Sequence, residues 1–297
     1  MNRKEIVQEW FKFLQQQIIN ELEEEDGQGK FGVENWDRPG GGGGITRLLQ
    51  RGSVFEKGGV NFSAVFGPTP LPIQKAFELE AGHFFASGVS IVIHPTNPFV
   101  PIIHMNVRYF ELDNGRAWFG GGIDLTPAYV FEEDGHFFHS SLKTVCESFQ
   151  PGSYKTFKER ADSYFRIRHR DEARGIGGIF YDRLDASSDA DFNKLWLLTQ
   201  KVGNAFAPTY RQIVGKRKDM EFNADNKFWQ LHRRSRYVEF NLVYDAGTKF
   251  GLETNGRTES ILMSLPPVAC WESNFIPVPG SWEARSQDCF TNPKVWA

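Results

Sequence analysis

An α+β fold, with one large, mostly antiparallel sheet flanked by helices on both faces in a single domain, is what this 297-residue chain predicts. Three observations carry that reading. Short apolar or alternating runs crowd residues 45–125, helical periodicity gathers before and after them, and sheet-forming runs follow one another without regular crossover helices.

The elements follow in order. Trp10, Leu14, Ile18 and Leu22 recur every four residues, so an amphipathic helix is expected over about 3–24, closing in the acidic run Glu21 to Asp26. A glycine-rich loop is expected over about 27–44; its run Gly40 to Gly44 lacks GxxxxGK[ST], which argues against a nucleotide phosphate loop. ITRLLQ, VNFSAVF, SIVIHP, HMNVRYFEL and RAWFGGGIDL read as strands bounded by Gly, Pro and Asn, interrupted by one helical stretch at about 73–85. Helical patterns follow near 132–149, 154–168 and 189–215, with the strand-like GIGGIFYDRL between the last two. YVEFNLVYD (237–245) and TKFGLET (248–254) flank an Ala-Gly pair, which reads as a hairpin. No internal repeat or linker divides the chain.

Net charge is −3 with both signs interspersed, so there is no broad basic field for nucleic acid or an anionic membrane. The cysteines Cys146, Cys270 and Cys289 are far apart and show no CxxC or Cys/His ligand spacing, which excludes a disulfide framework and a zinc knuckle. The N-terminal stretch has no apolar signal region and is too acidic for a transit peptide; with no apolar run near 18 residues, a cytoplasmic protein with no membrane span is expected.

Chemistry concentrates between Ser90 and Pro127. His104, Asn106 and Arg108 alternate along one expected strand and so share one face, where an ordinary core strand is apolar. Asp124 follows the triplet Gly120 to Gly122, whose missing Cβ atoms let a flat ligand approach the backbone, while a semi-buried carboxylate accepts N–H groups. His94 belongs to the same stretch, and His136 and His139 share a helical face with a spacing that suits a metal. RHRDEARGIGG sets His169, Arg170 and Arg174 before a strand and contains no GxGxxG. Asn255 and Gly256 read as a turn, with Arg257 starting a helical segment where a guanidinium can clamp a carboxylate. LHRRSRYVEF reads as a solvated basic face.

GSVFEKGGVNFS (52–63), HPTNPFVPIIHMNVRYFE (94–111), WFGGGIDLTPAYVFEED (118–134), RGIGGIFYDRL (174–184) and YVEFNLVYDAGTKFGLETNGRTESILMSLPP (237–267) together resemble the oxygen-dependent coproporphyrinogen III oxidase family. The resemblance covers the chain from near residue 30 to the end. It implies oxidative decarboxylation of the ring A and B propionates of coproporphyrinogen III to vinyl groups, giving protoporphyrinogen IX in haem synthesis. Molecular oxygen is then the co-substrate, with no organic cofactor. His104 matches the family's proton donor, and Asp124 is expected to accept pyrrole N–H bonds. Ser90, Asn106, Val107, Arg108, Asn255, Gly256 and Arg257 match substrate contacts, and Arg174 is expected to meet a further propionate. No metal is required; some bacterial relatives are described with a divalent metal, for which His94, His139 and His169 are the matching histidines, whereas His136 is one residue out of step. The family is homodimeric, and the matching dimer regions are Val54 to Ser63 and Tyr237 to Glu272. A tetrapyrrole carrier and an iron-dependent oxygenase are the competing classes.

Overall fold

The computed structural model describes residues 2–71, 74, 82–253 and 257–297. Among them, seven strands form one antiparallel sheet in the order β1 (Gly32–Asp37), β2 (Gly42–Gln50), β3 (Phe55–Pro68), β4 (His83–Pro95), β5 (Ile102–Leu112), β6 (Ala117–Thr126) and β9 (Gly178–Asp185). The short pair β7 (Arg166–Ile167) and β8 (Glu172–Ala173) stands apart from it. Helices cover both faces, as the sequence predicts.

Alternation along the strands decides which face is which. One face carries the rows Val60, Ile91, Met105, Ile123, Ile179 and Phe62, Val89, Val107, Gly121, Tyr181. It is buried under α1 (Arg3–Asp26), α2 (Glu132–Phe149) and α4 (Asp189–Arg217). The other face carries Ser63, Gly88, Arg108 and Gly120 in one row and Asn61, Ser90, Asn106 and Gly122 in the next. α5 (Ala224–Val243), α6 (Ala246–Glu253) and α7 (Thr258–Leu262) lie on this second side, and α8 (Trp282–Thr291) closes the chain.

Helix α1 begins at a capping box between Asn2 and Glu5 and buries Val7, Phe11, Leu14, Ile18 and Leu22. Its end is not a solvated acidic tail. Asp26 is buried and accepts the backbone N–H groups of Gly29 (2.6 Å), Ser53 (3.0 Å), Val54 (2.9 Å) and Phe55 (2.8 Å), tying the helix to the β2–β3 turn. Burial raises its pKa, but those four donors outweigh it and hold the carboxyl below its usual range.

Four expectations need correction. The glycine-rich stretch 27–44 is largely a β-hairpin: Trp36 lies over Gly44, where a Cβ would meet the indole at 2.3 Å, so glycine here lets two strands and a ring pack closely. Most of the helix expected at 73–85 lies outside the described residues, but His83 to Phe85 already belong to β4. The hairpin expected at 237–254 is two helices. Asp245 accepts from the Thr248 N–H at 2.7 Å, so the Ala-Gly pair opens α6 instead of turning a strand. On α5, Trp229, Arg233, Tyr237 and Phe240 are buried at helical spacing. LHRRSRYVEF is accordingly not a solvated face: Arg233 bonds Glu172 (3.0 Å) and Arg234 bonds Glu56 (2.7 Å), both guanidiniums buried.

The substitution Asp26→Asn is expected to cost about 2–3 kcal/mol at neutral pH, since it removes the charge from four hydrogen bonds. The folded pKa is lowered, so the stabilisation is complete above the ordinary carboxylate range and fades as pH falls through the depressed value. Urea denaturation across an acidic pH series should show the gap between parent and variant closing.

Candidate active site

Strand β5 presents His104, Asn106 and Arg108 on the second face of the sheet, each half-buried. Strand register places Asp124 directly opposite His104, Ser90 opposite Asn106 and Gly88 opposite Arg108. The floor around these groups is nearly bare: Ser63, Gly88, Ser90, Gly120 and Gly122 carry one heavy side-chain atom pair or none. A flat ligand can therefore lie against the backbone here. Helix α7 walls the floor on the β2–β3 side, where Asn61 Nδ2 donates to the Ser260 carbonyl (3.1 Å) and the Thr46 and Ser260 hydroxyls meet at 3.0 Å.

The chemistry centres on a chain of three side chains. His104 Nδ1 lies 2.8 Å from Asp124 Oδ1, and Arg174 donates to Asp124 Oδ2 at 2.7 Å. Asp124 and Arg174 are each 2% exposed, whereas the His104 side chain is 22% exposed. Burial alone would raise the Asp124 pKa; the Arg174 charge and the His104 bond overcome it and keep the carboxyl below its usual range. The carboxylate fixes Nδ1 as the donor atom of the imidazole and leaves Nε2 as the ring nitrogen that Asp124 does not hold. Arg174 in turn sits among three rings, with Phe165 at 4.4 Å, Phe240 at 4.6 Å and Tyr237 at 4.7 Å from its guanidinium carbon.

This geometry revises two expected roles. Arg174 is enclosed and committed to Asp124, so as it stands it is not placed to meet a propionate. Asp124 has both oxygens engaged, and accepting a pyrrole N–H would require one of those bonds to be given up. The exposed member is His104. Arg108 is the accessible cation of the floor: its side chain is 41% exposed and bonds Asn106 Oδ1 (2.9 Å) and Asp182 Oδ1 (2.8 Å). Gly120 leaves room for that pair, since a Cβ there would meet Asp182 at 2.7 Å and Arg108 at 2.8 Å. A β-bulge at Arg183, with φ of 54°, brings Asp182 into place.

Ser90 and Asn106 lie on the floor, opposite each other. Val107 does not: its side chain is fully buried in the core on the helix side. Asn255 and Gly256 lie outside the described residues. Arg257 caps α7 and is ion-paired with Glu34 of β1.

The three histidines matched to a metal do not share a site. His94 Nε2 bonds the Ser264 carbonyl (2.8 Å), and burial, then Arg234, hold its pKa well below the imidazole range. His139 has both nitrogens engaged, by Tyr154 Oη (2.9 Å) and the Ile176 carbonyl (3.0 Å), and burial pushes its pKa down to about 3. His169 lies between Tyr244 (2.8 Å) and Glu239 (2.7 Å). Among the described residues no three His, Cys, Asp or Glu side chains converge to hold an ion, so a metal does not fit these groups as they stand.

Sequence reasoning missed Asp182, whose place in the alternation of GIGGIFYDRL puts it on the same face as Phe180. It also missed the ring cage of Arg174, which no local signal announces.

Among the described residues, a bare sheet floor with an accessible arginine and a carboxylate-anchored histidine suits a flat anionic ligand and proton transfer. Comparison with known proteins gives the family: the chain belongs to the coproporphyrinogen III oxidases, whose family model matches residues 6–296. It is 50% identical to coproporphyrinogen-III oxidase 1, chloroplastic, of Arabidopsis thaliana, the match covering 95% of this chain and 76% of that protein. It is 46% identical to the oxygen-dependent coproporphyrinogen-III oxidase of Prochlorococcus marinus (strain NATL1A), covering 95% and 88%. The family expected from the sequence is thus borne out.

Replacing Arg174 by Met is expected to destabilise the protein by about 3–5 kcal/mol, because it leaves the buried Asp124 charge with His104 as its remaining partner and no guanidinium. The double variant Asp124→Asn, Arg174→Met should recover part of that loss. Chemical denaturation of the four-member cycle measures both values.

Proposed function

We propose that this protein is an oxygen-dependent coproporphyrinogen III oxidase of haem synthesis, converting the ring A and B propionates to vinyl groups. Family membership supports the reaction, and the His104–Asp124–Arg174 chain on a bare floor is the observation that carries it. The tetrapyrrole lies against Ser90, Gly88, Asn106 and Gly122, with one propionate on Arg108. A charge-assisted hydrogen bond of this kind contributes about 1.5–3 kcal/mol.

For each propionate, the bond to the carboxylate breaks and its electron pair becomes the vinyl π bond, releasing carbon dioxide. The β-carbon loses a hydride equivalent to oxygen. With one further proton, oxygen leaves as hydrogen peroxide, so the step balances with no other oxidant. The electron-rich pyrrole reacts with oxygen directly, and His104 supplies the proton from Nε2. Asp124 and Arg174 act through His104 as positioning residues: the carboxylate orients the imidazole and stabilises its charged form, and Arg174 keeps the carboxylate ionised. Asn255, Gly256 and Arg257 remain proposed substrate contacts, with Arg257 leaving Glu34 for a propionate.

A homodimer belongs to the same reading. Strand β3, which contains all of the region Val54 to Ser63 except Val54, is paired on both sides, so it joins no partner by an edge. The region Tyr237 to Glu272 leaves Leu242, Val268 and Trp271 exposed, which suits packing of faces. A cytoplasmic setting is part of the proposal; two buried cysteines are free thiols, which suits a reducing compartment, and no helix among the described residues is long and apolar enough to cross a membrane.

Incubation with coproporphyrinogen III in air should remove two carboxyl groups by mass and leave the substrate intact without oxygen; no loss in air would remove the assignment. Activity abolished by a chelator and restored by one metal would favour the iron-dependent reading. His104→Ala should lower kcat by about 10²–10⁴. Arg108→Ala should act on KM, lowering kcat/KM roughly 10–100-fold. Sedimentation equilibrium should give a dimer, converted to monomer by Leu242→Asp with Trp271→Asp.

A further inference from the structure

Beside the catalytic floor lies a second cavity, of about 700 Å³, that the mechanism above leaves unused. Arg160, Arg166, Arg168 and Lys249 line it, against the single carboxylate of Glu159. With Arg166 paired to Asp171, the four cations still outnumber the adjoining acids Glu159 and Asp171, and a cleft with an excess of one sign of charge focuses its field on an anion. Arg160 comes from α3 (Ser153–Tyr164), Arg166 and Arg168 from the turn that leads to Arg174, and Lys249 from α6. Arg166 is also bonded to Asp171, and Arg168 stands 5.9 Å over the Tyr244 ring, so two of the forks are already oriented.

The cavity adjoins the floor through its aromatic wall. Phe180 lines it, stacked on Tyr164 at 4.5 Å, and the same Phe180 is the strand neighbour of Gly122 in the row that continues to Asn106 and Ser90. Phe165 bridges the two places, 6.3 Å from the His104 ring and 6.4 Å from Phe180. Strands lie about 4.8 Å apart, so a macrocycle that covers roughly two to three strand spacings from Ser90 carries its far edge over Phe180 and to the cavity mouth.

We propose that this basic cavity holds the carboxylates that the reaction spares. The inference rests on the reading of the substrate given above. Coproporphyrinogen III brings four propionates; one at a time reacts near His104, and the type III substituent order sets the two retained propionates side by side on one edge. That edge meets the arginine forks, which suit paired carboxylates better than point charges do. The cavity then fixes which propionates are kept from the reacting position, and so contributes to which rings are converted.

The test is a fluorescence titration with coproporphyrin III, the oxidised and inert form of the substrate, alongside its tetramethyl ester. Arg160→Ala with Arg168→Ala, both at exposed positions, should weaken coproporphyrin III binding at least tenfold, flatten its salt dependence and leave binding of the ester unchanged. Lys249→Gln should do the same to a smaller degree, and in turnover the loss should fall on KM more than on kcat. Coproporphyrin III binding equal to the parent's in both variants would overturn the assignment. So would equal weakening of acid and ester, which marks a general disturbance of the fold. A parent protein that binds coproporphyrin III but converts no coproporphyrinogen would remove the proposed reaction, while the same titration still decides the cavity.

Discussion

The site depends on one buried negative charge. Asp124 sits on a sheet strand with 2% exposure, where an unpaired carboxylate is not tolerated. Its compensation is Arg174, which arrives from the segment between β8 and β9, and Arg174 is itself buried only because Phe165, Tyr237 and Phe240 surround it. Three parts of the chain are therefore locked by one ion pair: the sheet, the crossing turn and helix α5. The orientation of His104 is a by-product of that lock, since its Nδ1 takes up the remaining side of the same carboxylate. A histidine held this way has its ring orientation fixed without help from a ligand.

The same logic extends outward along α5. Glu172 accepts from Arg233 and lies 3.5 Å from Arg236, and Glu239 gathers His169, Arg170 and Trp271; burial opposes ionisation of Glu239, but Arg170 and His169 hold its pKa down to about 2. The face that α5 turns to the β7–β8 segment is thus a paired ionic layer that meets the aromatic cage at Tyr237. Removing the helix from the sheet exposes several charges and uncovers Asp124 together.

Strands β2 to β6 were legible because their alternation is strict and each face has its own chemistry, apolar toward α1 and α4, small and polar toward the floor. His104, Asn106 and Arg108 could be placed together from period-two spacing alone, and the helix at 189–215 from its repeat. What failed did so for long-range reasons. Tyr237 to Asp245 is rich in β-branched and aromatic residues, yet the rings are needed at helical spacing around Arg174, a partner more than sixty residues away. Arg233 and Arg234 looked solvated because Glu172 and Glu56 are invisible as partners in a linear reading. Arg174 looked like a ligand-facing arginine for the same reason, since only the fold shows that Asp124 claims it. Val107 followed its neighbours by resemblance, although the alternation that placed Asn106 and Arg108 on the floor already sent Val107 to the other side.

That back-to-back arrangement ties two properties of the protein that are usually adjusted separately. Met105 and Val107 fill the core on one side of β5 while His104, Asn106 and Arg108 line the floor on the other, with only one layer of backbone between them. The floor has almost no side chains of its own to absorb a displacement, so its shape is the shape of the strands, and the strands are set by how well the helices pack behind them. Adaptation of this enzyme to heat or cold through its core is therefore also a change in the contour its substrate meets, and the two traits are inherited through the same few residues.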